Sequence, residues 1–302
     1  MRGPVRRPAP LIHPGAPVRV VAPAGPARDF EEVERGLQVL SRRYEVRVDP
    51  AVRSRKGYLA GDDERRATEL AAALTEPDVR AVVALRGGYG TMRILPRLAD
   101  ALAELEAAPR LVVGSSDLTA LGSAMLAGGV GWVHGPMVAR LGRLDDASLE
   151  RLFRIMEQPG GPQEPGLRGL SSGRATGPVV GGNLAVLAAL SGTLFLPDLH
   201  GAILFVEDVG EKPYRLDRML TQLLLSGALH GVAGALLGDF TDCSGPEGEP
   251  QAEEVVVERL ACLGVPIVGG FPAAHGERCF ALRMGDVAEI DGDRGTLSWV
   301  GG

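Results

Sequence analysis

The sequence is poor in several residue types, and each shortage argues against a class of protein. Lysine occurs only at Lys56 and Lys212, so all but two of the 32 basic residues are arginine. These are outnumbered by 38 acidic residues, and the formal net charge of −6 argues against a nucleic-acid-binding surface. Three cysteines without CxxC spacing are typical of a reducing compartment and argue against a disulfide scaffold.

Long hydrophobic runs are also missing. Apolar runs near the N-terminus are each broken by a proline, namely Pro4, Pro8, Pro10, Pro14 or Pro17, so no signal-peptide core is predicted. The longest mostly apolar stretch, Leu184–Pro197, is too short to span a bilayer and contains polar Ser191 and Thr193. We therefore expect a cytoplasmic protein with no membrane partner.

Glycine, by contrast, is abundant, with 42 of 302 residues, or about twice the ~7% of average usage. No Gly-X-Y period accompanies it, so the excess comes from turns, from close backbone approaches or from a coding bias, which the preference for arginine over lysine also indicates. A length of 302 residues favours two domains at ~100–200 residues each. Residues 158–173 are rich in glycine and proline and are interpreted as a linker between a domain at 1–157 and a domain at 174–302.

Apolar bursts alternate with segments of helical periodicity along the chain. This alternation predicts βαβ units and a mostly parallel sheet, which is an α/β fold. The predicted strands are Val18–Ala22, Tyr44–Val48, Ala81–Leu85, Leu111–Gly114, Ala202–Val206, Ala233–Leu237, Pro266–Val268 and short strands within Asp286–Val300. The predicted helices are one containing Phe30, Val33, Leu37 and Leu40, then Asp62–Thr75, Leu118–Ala127 and Leu216–Leu225.

A turn with two serines connects one of these strands to a helix. In LVVGSSDLTALGSAML, Ser115 and Ser116 lie where the helix begins. Backbone N–H groups converge there and the helix dipole favours negative charge, which suits a nucleophile whose attack creates an oxyanion. Simple capping of the helix by Ser115, Ser116 or Asp117 is the alternative. The G-x-S-x-G pattern is not met, because position 118 is leucine.

Two further segments have candidate functional groups at the ends of predicted strands. Adjacent Gly87 and Gly88, in LRGGYGT, allow close backbone approach and could bind a phosphate or supply an oxyanion-hole N–H, although a plain turn explains them equally well. The segment is not a GxGxxG motif, so a dinucleotide site is disfavoured. Glu207 and Asp208 end an apolar strand, where sites gather in α/β folds. They could orient a histidine, bind a metal or cap a helix.

Only five histidines are available for acid–base chemistry. His275 follows a strand in a Gly/Pro loop, where catalytic residues concentrate, and is the leading candidate. His134, in GWVHGPM, could line a pocket or donate a core hydrogen bond. The other three, His13, His200 and His230, are expected to be structural or solvated. HExxH, paired CxxC and EF-hand motifs are missing, so neither a metal nor another cofactor is expected.

Seven motifs in order, over nearly the whole chain, resemble those of one peptidase family. They are VAPAGP (21–26), RGGYG (86–90), GSSDLTAL (114–121), HGPM (134–137), GGNLAVL (181–187), LFVEDVGEKPYRLDRML (204–220) and the late histidine loop. The family is that of the serine LD-carboxypeptidases, also called muramoyltetrapeptide carboxypeptidases, which includes the microcin C immunity peptidases.

The resemblance implies a catalytic triad. The serine of G-x-S-D maps onto Ser116, the first acid of the E-D pair onto Glu207, and the histidine of the late loop onto His275. It also implies an oxyanion hole made by the backbone N–H groups of Gly88 and Asp117.

The implied fold is an N-terminal Rossmann-like or flavodoxin-like domain carrying the serine and a C-terminal swivelling β/α domain carrying the other two residues. The site would lie in the cleft between them, and the family is typically dimeric. The implied substrate is a murein tetrapeptide that loses its terminal D-Ala, whose carboxylate needs a cation or N–H donors. Arg86, with Gly87 beside it, is the candidate for binding that carboxylate.

The chain departs from the family pattern at two positions. Ser115 stands where the family usually has an aromatic residue, and Ala24 where A-P-S is common. Neither change removes a catalytic group, but both reshape the pocket. The E-D-V-G-E run favours the murein branch over the microcin branch, which tends to have E-D-S.

Two other classes of function stay open on the residues alone. A non-catalytic two-domain protein could hold an anionic ligand between RGGYG and GSSD. A cysteine hydrolase is disfavoured, because no cysteine occupies a strand–turn–helix elbow.

Overall fold

The computed structural model describes residues 7–164, 166–273 and 278–300. Within these residues the strands form two sheets flanked by helices. The strands are β1 Pro17–Val21, β2 Glu45–Val48, β3 Ala81–Ala84, β4 Leu111–Gly114, β5 Trp132–His134, β6 Arg168–Ser171, β7 Arg174–Asn183, β8 Ile203–Val209, β9 Gly234–Thr241, β10 Ile267–Gly269, β11 Leu282–Met284, β12 Val287–Asp291 and β13 Thr296–Trp299.

Helices connect most of these strands. The α-helices are α1 Phe30–Ser41, α2 Asp63–Thr75, α3 Thr91–Ile94, α4 Ala99–Ala107, α5 Thr119–Ala127, α6 Val138–Leu141, α7 Asp146–Glu157, α8 Leu184–Leu190, α9 Pro213–Leu225 and α10 Ala252–Ala261. Short 3₁₀ helices lie at Pro50–Arg53, Leu95–Leu98 and Ser116–Leu118. No helix in the described ranges is both long enough and apolar enough to cross a membrane.

The first sheet has the order β11–β5–β4–β3–β1–β2. Its members run parallel except β11, which pairs antiparallel with β5. Every residue of β3 (AVVA) and β4 (LVVG) is buried, as expected for central parallel strands covered by helices on both faces. The carboxyl end of β4, where the two serines follow, is therefore anchored on both sides.

The second sheet has the order β13–β12–β7–β8–β9–β10–β6. Its centre, β7 to β10, is parallel, and β8 lies between β7 and β9 with Asn183 opposite Glu207. The hairpin of β12 and β13 extends β7 antiparallel, and β6 closes the other edge. Glu207 thus occupies the middle of the sheet, close to the carboxyl ends of its parallel strands.

The predicted α/β class is confirmed, as are the strands and helices predicted from periodicity, with shifts of a few residues at some ends. Two elements depart from the expected division of the chain. Strand β6 lies inside the expected linker 158–173, and β11, from the second half, completes the first sheet. The division into 1–157 and 174–302 stays a prediction.

One hydrophobic cluster spans the two sheets. It contains Met125 and Trp132 beside the first sheet and Leu184, Phe205 and Phe271 in the second half, all of them buried. A densely packed core resists shifts between its parts, since interiors have few voids. The relative placement of the carboxyl ends of β4 and β8 is therefore set by core packing.

We predict that Gly122→Ala destabilises the protein. Gly122 lies in α5 against Trp132, and an added Cβ would lie 2.0 Å from ring atom Cε2. Overpacking costs about 1–3 kcal/mol and outweighs the ~1 kcal/mol that alanine gains over glycine in a helix. Because the 2.0 Å approach is severe, we expect a cost near the upper end of that range, and the free energy of unfolding, measured in urea, should fall by about 2 kcal/mol.

Gly128→Ala, at the C-cap of the same helix, is the matched control. Its φ is −82°, and the three atoms nearest to an added Cβ all belong to the exposed side chain of Glu106, which is free to move. Its effect should stay within about 0.5 kcal/mol. Equal effects of the two substitutions would contradict the packing argument.

Candidate active site

Ser116 occupies a strained turn between β4 and α5. Its φ of 56° is in the left-handed region, and the only other described non-glycine residue there is Asp242. Such a conformation costs of order 1–3 kcal/mol and persists only where the surroundings impose it. Ser115 before it is extended and buried, whereas Ser116 is half-buried. A strained strand-to-helix turn that lifts one serine out of the core is the geometry of a nucleophile elbow.

The paired glycines pass directly in front of this serine. A Cβ added to Gly87 would lie 3.1 Å from Ser116 Oγ and 3.0 Å from Ser116 Cβ, so any side chain at position 87 would crowd the hydroxyl. Gly88 is exposed and has a φ of 112°, which glycine adopts readily. The N–H of Gly25 donates to the Gly87 carbonyl at 3.0 Å and holds the loop in place.

Of the two expected oxyanion-hole donors, Asp117 follows Ser116 in the chain, and Gly88 follows Gly87, which faces the Ser116 side chain. Within the described residues, no hydrogen bond engages the N–H of Gly88 or of Asp117. The Asp117 N–H belongs to the first turn of a helical segment, where backbone donors have no intrahelical partner. Both groups are therefore available to a bound oxygen.

The Asp117 side chain ties the serine turn to the glycine loop. Its Oδ2 accepts a hydrogen bond from the Thr91 N–H at 2.8 Å, one residue after Gly90. Burial raises the pKa of the Asp117 carboxyl above its usual range, although the hydrogen bonds from Thr91 and Gly90 oppose the rise. This contact fixes one loop against the other independently of the Asp117 backbone.

Arg86 is half-buried against the loop that follows β1. Its Nη1 donates to the Pro26 carbonyl at 3.1 Å. Burial lowers the pKa of the guanidinium below its usual range, and Arg28 contributes in the same direction. Among the described residues no acid is paired with Arg86, and the Pro26 carbonyl occupies one of its donors, so further donors remain for an anion.

Adjacent Glu207 and Asp208 have different surroundings. Glu207 is fully buried. Asp208 accepts hydrogen bonds from Asn183 Nδ2 at 3.0 Å, from the Ala185 N–H at 2.9 Å and from the Val209 N–H at 2.8 Å. Burial raises the pKa of Asp208 to about 6, and the Glu207 carboxylate adds to the rise. Asp208 therefore holds the start of α8 in place.

The histidines that the structure describes differ in burial. His13, His200 and His230 are exposed. His134, on β5, is fully buried, and its Nε2 lies 3.6 Å from Glu207 Oε1. His275, the predicted base, lies outside the described residues.

One hydrogen bond between the two halves is not predicted by the sequence patterns. The Asn183 N–H donates to Thr119 Oγ1 at 3.0 Å, joining the end of β7 to the first residue of α5. Gly182 packs on the same threonine, since an added Cβ would lie 2.5 Å from its Oγ1. These partners lie 64 positions apart, so no local pattern signals their contact. The only sequence hint is the GGN motif, whose Asn183 also caps α8.

A polar cleft of about 500 Å³ opens where β9 and β10 end. Its walls include Gly238, Asp242 and Gly270. A Cβ added to Gly238 would lie 3.0 Å from Glu207 Cβ, so one residue of β9 separates the cleft from the buried acid. Among the described side chains, no group of three or more His, Cys, Asp or Glu could hold a metal ion.

Comparison with known families assigns both halves of the chain. Residues 18–135 match the LD-carboxypeptidase N-terminal domain, and residues 176–290 match the LD-carboxypeptidase C-terminal domain. The murein tetrapeptide carboxypeptidase of Pseudomonas aeruginosa is 38% identical over 264 residues, which cover 82% of this chain and 83% of that one.

Solved structures agree with this assignment. The muramoyltetrapeptide carboxypeptidase from Oxalobacter formigenes superposes with a TM-score of 0.82 at 33% identity, covering 93% of this chain and 97% of that one. The microcin C7 self-immunity protein MccF, in complex with aspartyl sulfamoyl adenosine, gives a TM-score of 0.89 at 22% identity and covers 98% of each chain. At that identity the second likeness shows the fold alone.

We predict that Thr119→Val weakens the contact between the halves. The substitution keeps the shape but leaves the buried Asn183 N–H without its acceptor, which costs about 1–3 kcal/mol. Urea unfolding should show that loss. Ser123→Ala is the control on the same helix, because the buried Ser123 hydroxyl has no partner among the described residues, and it should be nearly neutral. A neutral Thr119→Val would show that the bond does not join the halves.

We further predict that Asp208 makes stability fall between about pH 4 and pH 6.5. Its pKa of about 6 in the folded protein exceeds the ~3.9 of an unfolded chain, so the folded state binds more protons in this range. Stability then decreases as pH rises, by on the order of 2 kcal/mol between pH 4.5 and 7.0. Asp208→Asn should remove this part of the difference between urea unfolding free energies at the two pH values. An unchanged difference would overturn the assignment.

Proposed function

The chain belongs to the LD-carboxypeptidase family and is a serine carboxypeptidase, and from that premise we propose that it releases terminal D-Ala from murein tetrapeptides. In this proposal Ser116 is the nucleophile, Glu207 the acid and His275 the base. The observation that carries it is the strained turn at Ser116, whose hydroxyl faces the Gly87 backbone at the end of a buried strand. The role of His275 rests on the family resemblance.

The reaction proceeds by acyl transfer. Ser116 Oγ attacks the carbonyl carbon of the bond to D-Ala while His275 takes the hydroxyl proton. The tetrahedral intermediate then collapses, the C–N bond breaks and His275 returns the proton to the leaving amine. Water repeats the sequence on the acyl-enzyme and regenerates the Ser116 hydroxyl. Glu207 holds the imidazole in one tautomer and stabilises its charged form.

The oxyanion of the intermediate accepts hydrogen bonds from the N–H groups of Gly88 and Asp117. Support comes from the place of Asp117 directly after Ser116, from the approach of the neighbouring Gly87 to the serine, and from the availability of both N–H groups within the described residues. Donors of this kind are worth roughly 2.7–4 kcal/mol each in the transition state. Glycine at position 87 serves the same end, because it leaves space for the tetrahedral carbon in front of Ser116.

The released residue carries a carboxylate, and Arg86 is the proposed cation for it. Its guanidinium is half-buried beside the glycine loop and uses Nη1 on the Pro26 carbonyl, with further donors left for the substrate. A planar guanidinium can bind a carboxylate through two parallel hydrogen bonds.

The murein branch is preferred over the microcin branch. The P. aeruginosa relative named for murein tetrapeptide is 38% identical, whereas the likeness to the MccF structure is one of fold. The proposal includes a cytoplasmic homodimer that acts on peptides from wall turnover. Analytical ultracentrifugation at micromolar concentration tests the dimer.

We predict that the purified protein converts a murein tetrapeptide to tripeptide and D-Ala, detected by mass spectrometry. Ser116→Ala should lower the rate by on the order of 10⁴-fold or more, as removal of a triad nucleophile does. Ser115→Ala is the matched control, because Ser115 is buried and extended, and it should keep most of the activity. Loss of activity in Ser115→Ala together with a fully active Ser116→Ala would show that Ser115, and not Ser116, is the nucleophile.

Two further measurements distinguish a murein peptidase from a microcin-type peptidase and from a non-catalytic binding protein. Turnover of an aminoacyl sulfamoyl adenosine, with the tetrapeptide left intact, would favour the microcin branch. Thermal stabilisation by the tetrapeptide without any product would favour a binding protein.

A further inference from the structure

We propose that His134 is a positioning residue for the reaction, which holds the Glu207 carboxylate from the interior of the protein. The inference rests on the role proposed above for Glu207 and extends it. A carboxylate can orient a catalytic imidazole only if its own oxygens are held still. His134, on β5 of the first sheet, directs its ring nitrogen Nε2 at the Glu207 carboxylate.

The geometry places the two side chains face to face inside the core. His134 Nε2 lies 3.6 Å from Glu207 Oε1, and both side chains are fully buried. This separation is longer than a hydrogen bond, and closing it by about 0.6 Å makes one. Catalytic hydrogen bonds are often long before substrate binds and tighten in the reacting complex. Because water is excluded, the attraction between the imidazole and the carboxylate is not screened by solvent.

The His134 ring is held in one orientation. It packs edge-on against Trp132, with ring centres 5.7 Å apart, and against Phe205, at 5.1 Å. Its backbone pairs with Gly114 on one side and Leu282 on the other. A histidine with apolar rings around it and one nitrogen directed at a carboxylate has little freedom to turn away.

The surroundings also assign the proton on the ring. Within the described residues neither ring nitrogen makes a hydrogen bond within the usual distance, and Glu207 is the carboxylate that Nε2 faces. A proton on Nδ1 would be a buried donor without an acceptor, which costs about 1–3 kcal/mol. A neutral imidazole protonated on Nε2 therefore points its N–H at Glu207 and helps to offset the cost of burying that charge.

The same strand pair connects His134 to the nucleophile. His134 lies opposite Gly114, and the Gly135 N–H donates to the Gly114 carbonyl at 2.9 Å. Ser116 lies two residues after Gly114 in the chain. The segment that orients the acid is thus bonded to the segment that carries the serine, and a disturbance at His134 should lower kcat more than it raises KM.

The test compares two substitutions of similar size, His134→Gln and His134→Met. Glutamine keeps an N–H donor near the position of Nε2, and methionine removes it. With murein tetrapeptide as substrate, His134→Met should lower kcat by on the order of 10²-fold, as loss of positioning does, with KM within about twofold. His134→Gln should recover kcat to within about fivefold of wild type. Thermal unfolding of both variants monitors packing.

Two outcomes overturn the inference. A wild-type kcat in His134→Met shows that the donor has no role, and equal losses in both variants show that only packing matters. Ser116→Ala and Glu207→Gln are measured alongside. If either keeps full activity, the proposed triad fails whatever His134 does, so the two failures are distinguishable.

A spectroscopic measurement keeps the inference testable if the variants fold poorly. In ¹⁵N-labelled protein, the His134 ring should be neutral and protonated on Nε2, and Glu207→Gln should shift that N–H resonance. A proton on Nδ1, or a resonance that ignores Glu207→Gln, would overturn the proposal.

Discussion

The site depends on one constraint, which is that the carboxyl end of β4 is held against the carboxyl end of β8 although the strands belong to different sheets. The Thr119–Asn183 hydrogen bond and the shared hydrophobic cluster impose it. A strained serine and a buried carboxylate each cost free energy, and neither persists unless its surroundings hold it. The packing between the sheets supplies that support to both at once.

The adjacent acids Glu207 and Asp208 on β8 are both buried, but their side chains leave the strand in opposite directions and have different partners. Asp208 meets three donors and becomes part of the scaffold, holding the start of α8. Glu207 points the other way from the strand, towards His134 and the first sheet. Alternation of side chains along a strand separates the two carboxylates, so Asp208 fixes the start of α8 while Glu207 faces the first sheet.

Much of the fold could be predicted from periodicity, because strands such as β3 and β4 are continuous apolar runs and α1 and α2 begin at capping aspartates. The strands that escaped prediction have physical reasons. β7 contains Pro178 and several glycines, which are typical of a loop, and β5 and β11 are only three residues long. β6 lies in a glycine- and proline-rich segment, and its pairing with β10 is a contact between distant parts of the chain.

The sequence by itself determined which candidate functional groups are present and where each lies in the local structure. They are a serine at a strand-to-helix turn, glycines upstream of it and a pair of acids at the end of an apolar strand. These are local features, set by residue type and spacing. The family motifs already pointed to Ser116 and Glu207. Only the tertiary structure decided that the first is strained, that the second faces His134, and that Thr119 accepts a hydrogen bond from Asn183. Those choices depend on contacts between residues far apart in the chain, and such contacts form only when the two sheets pack.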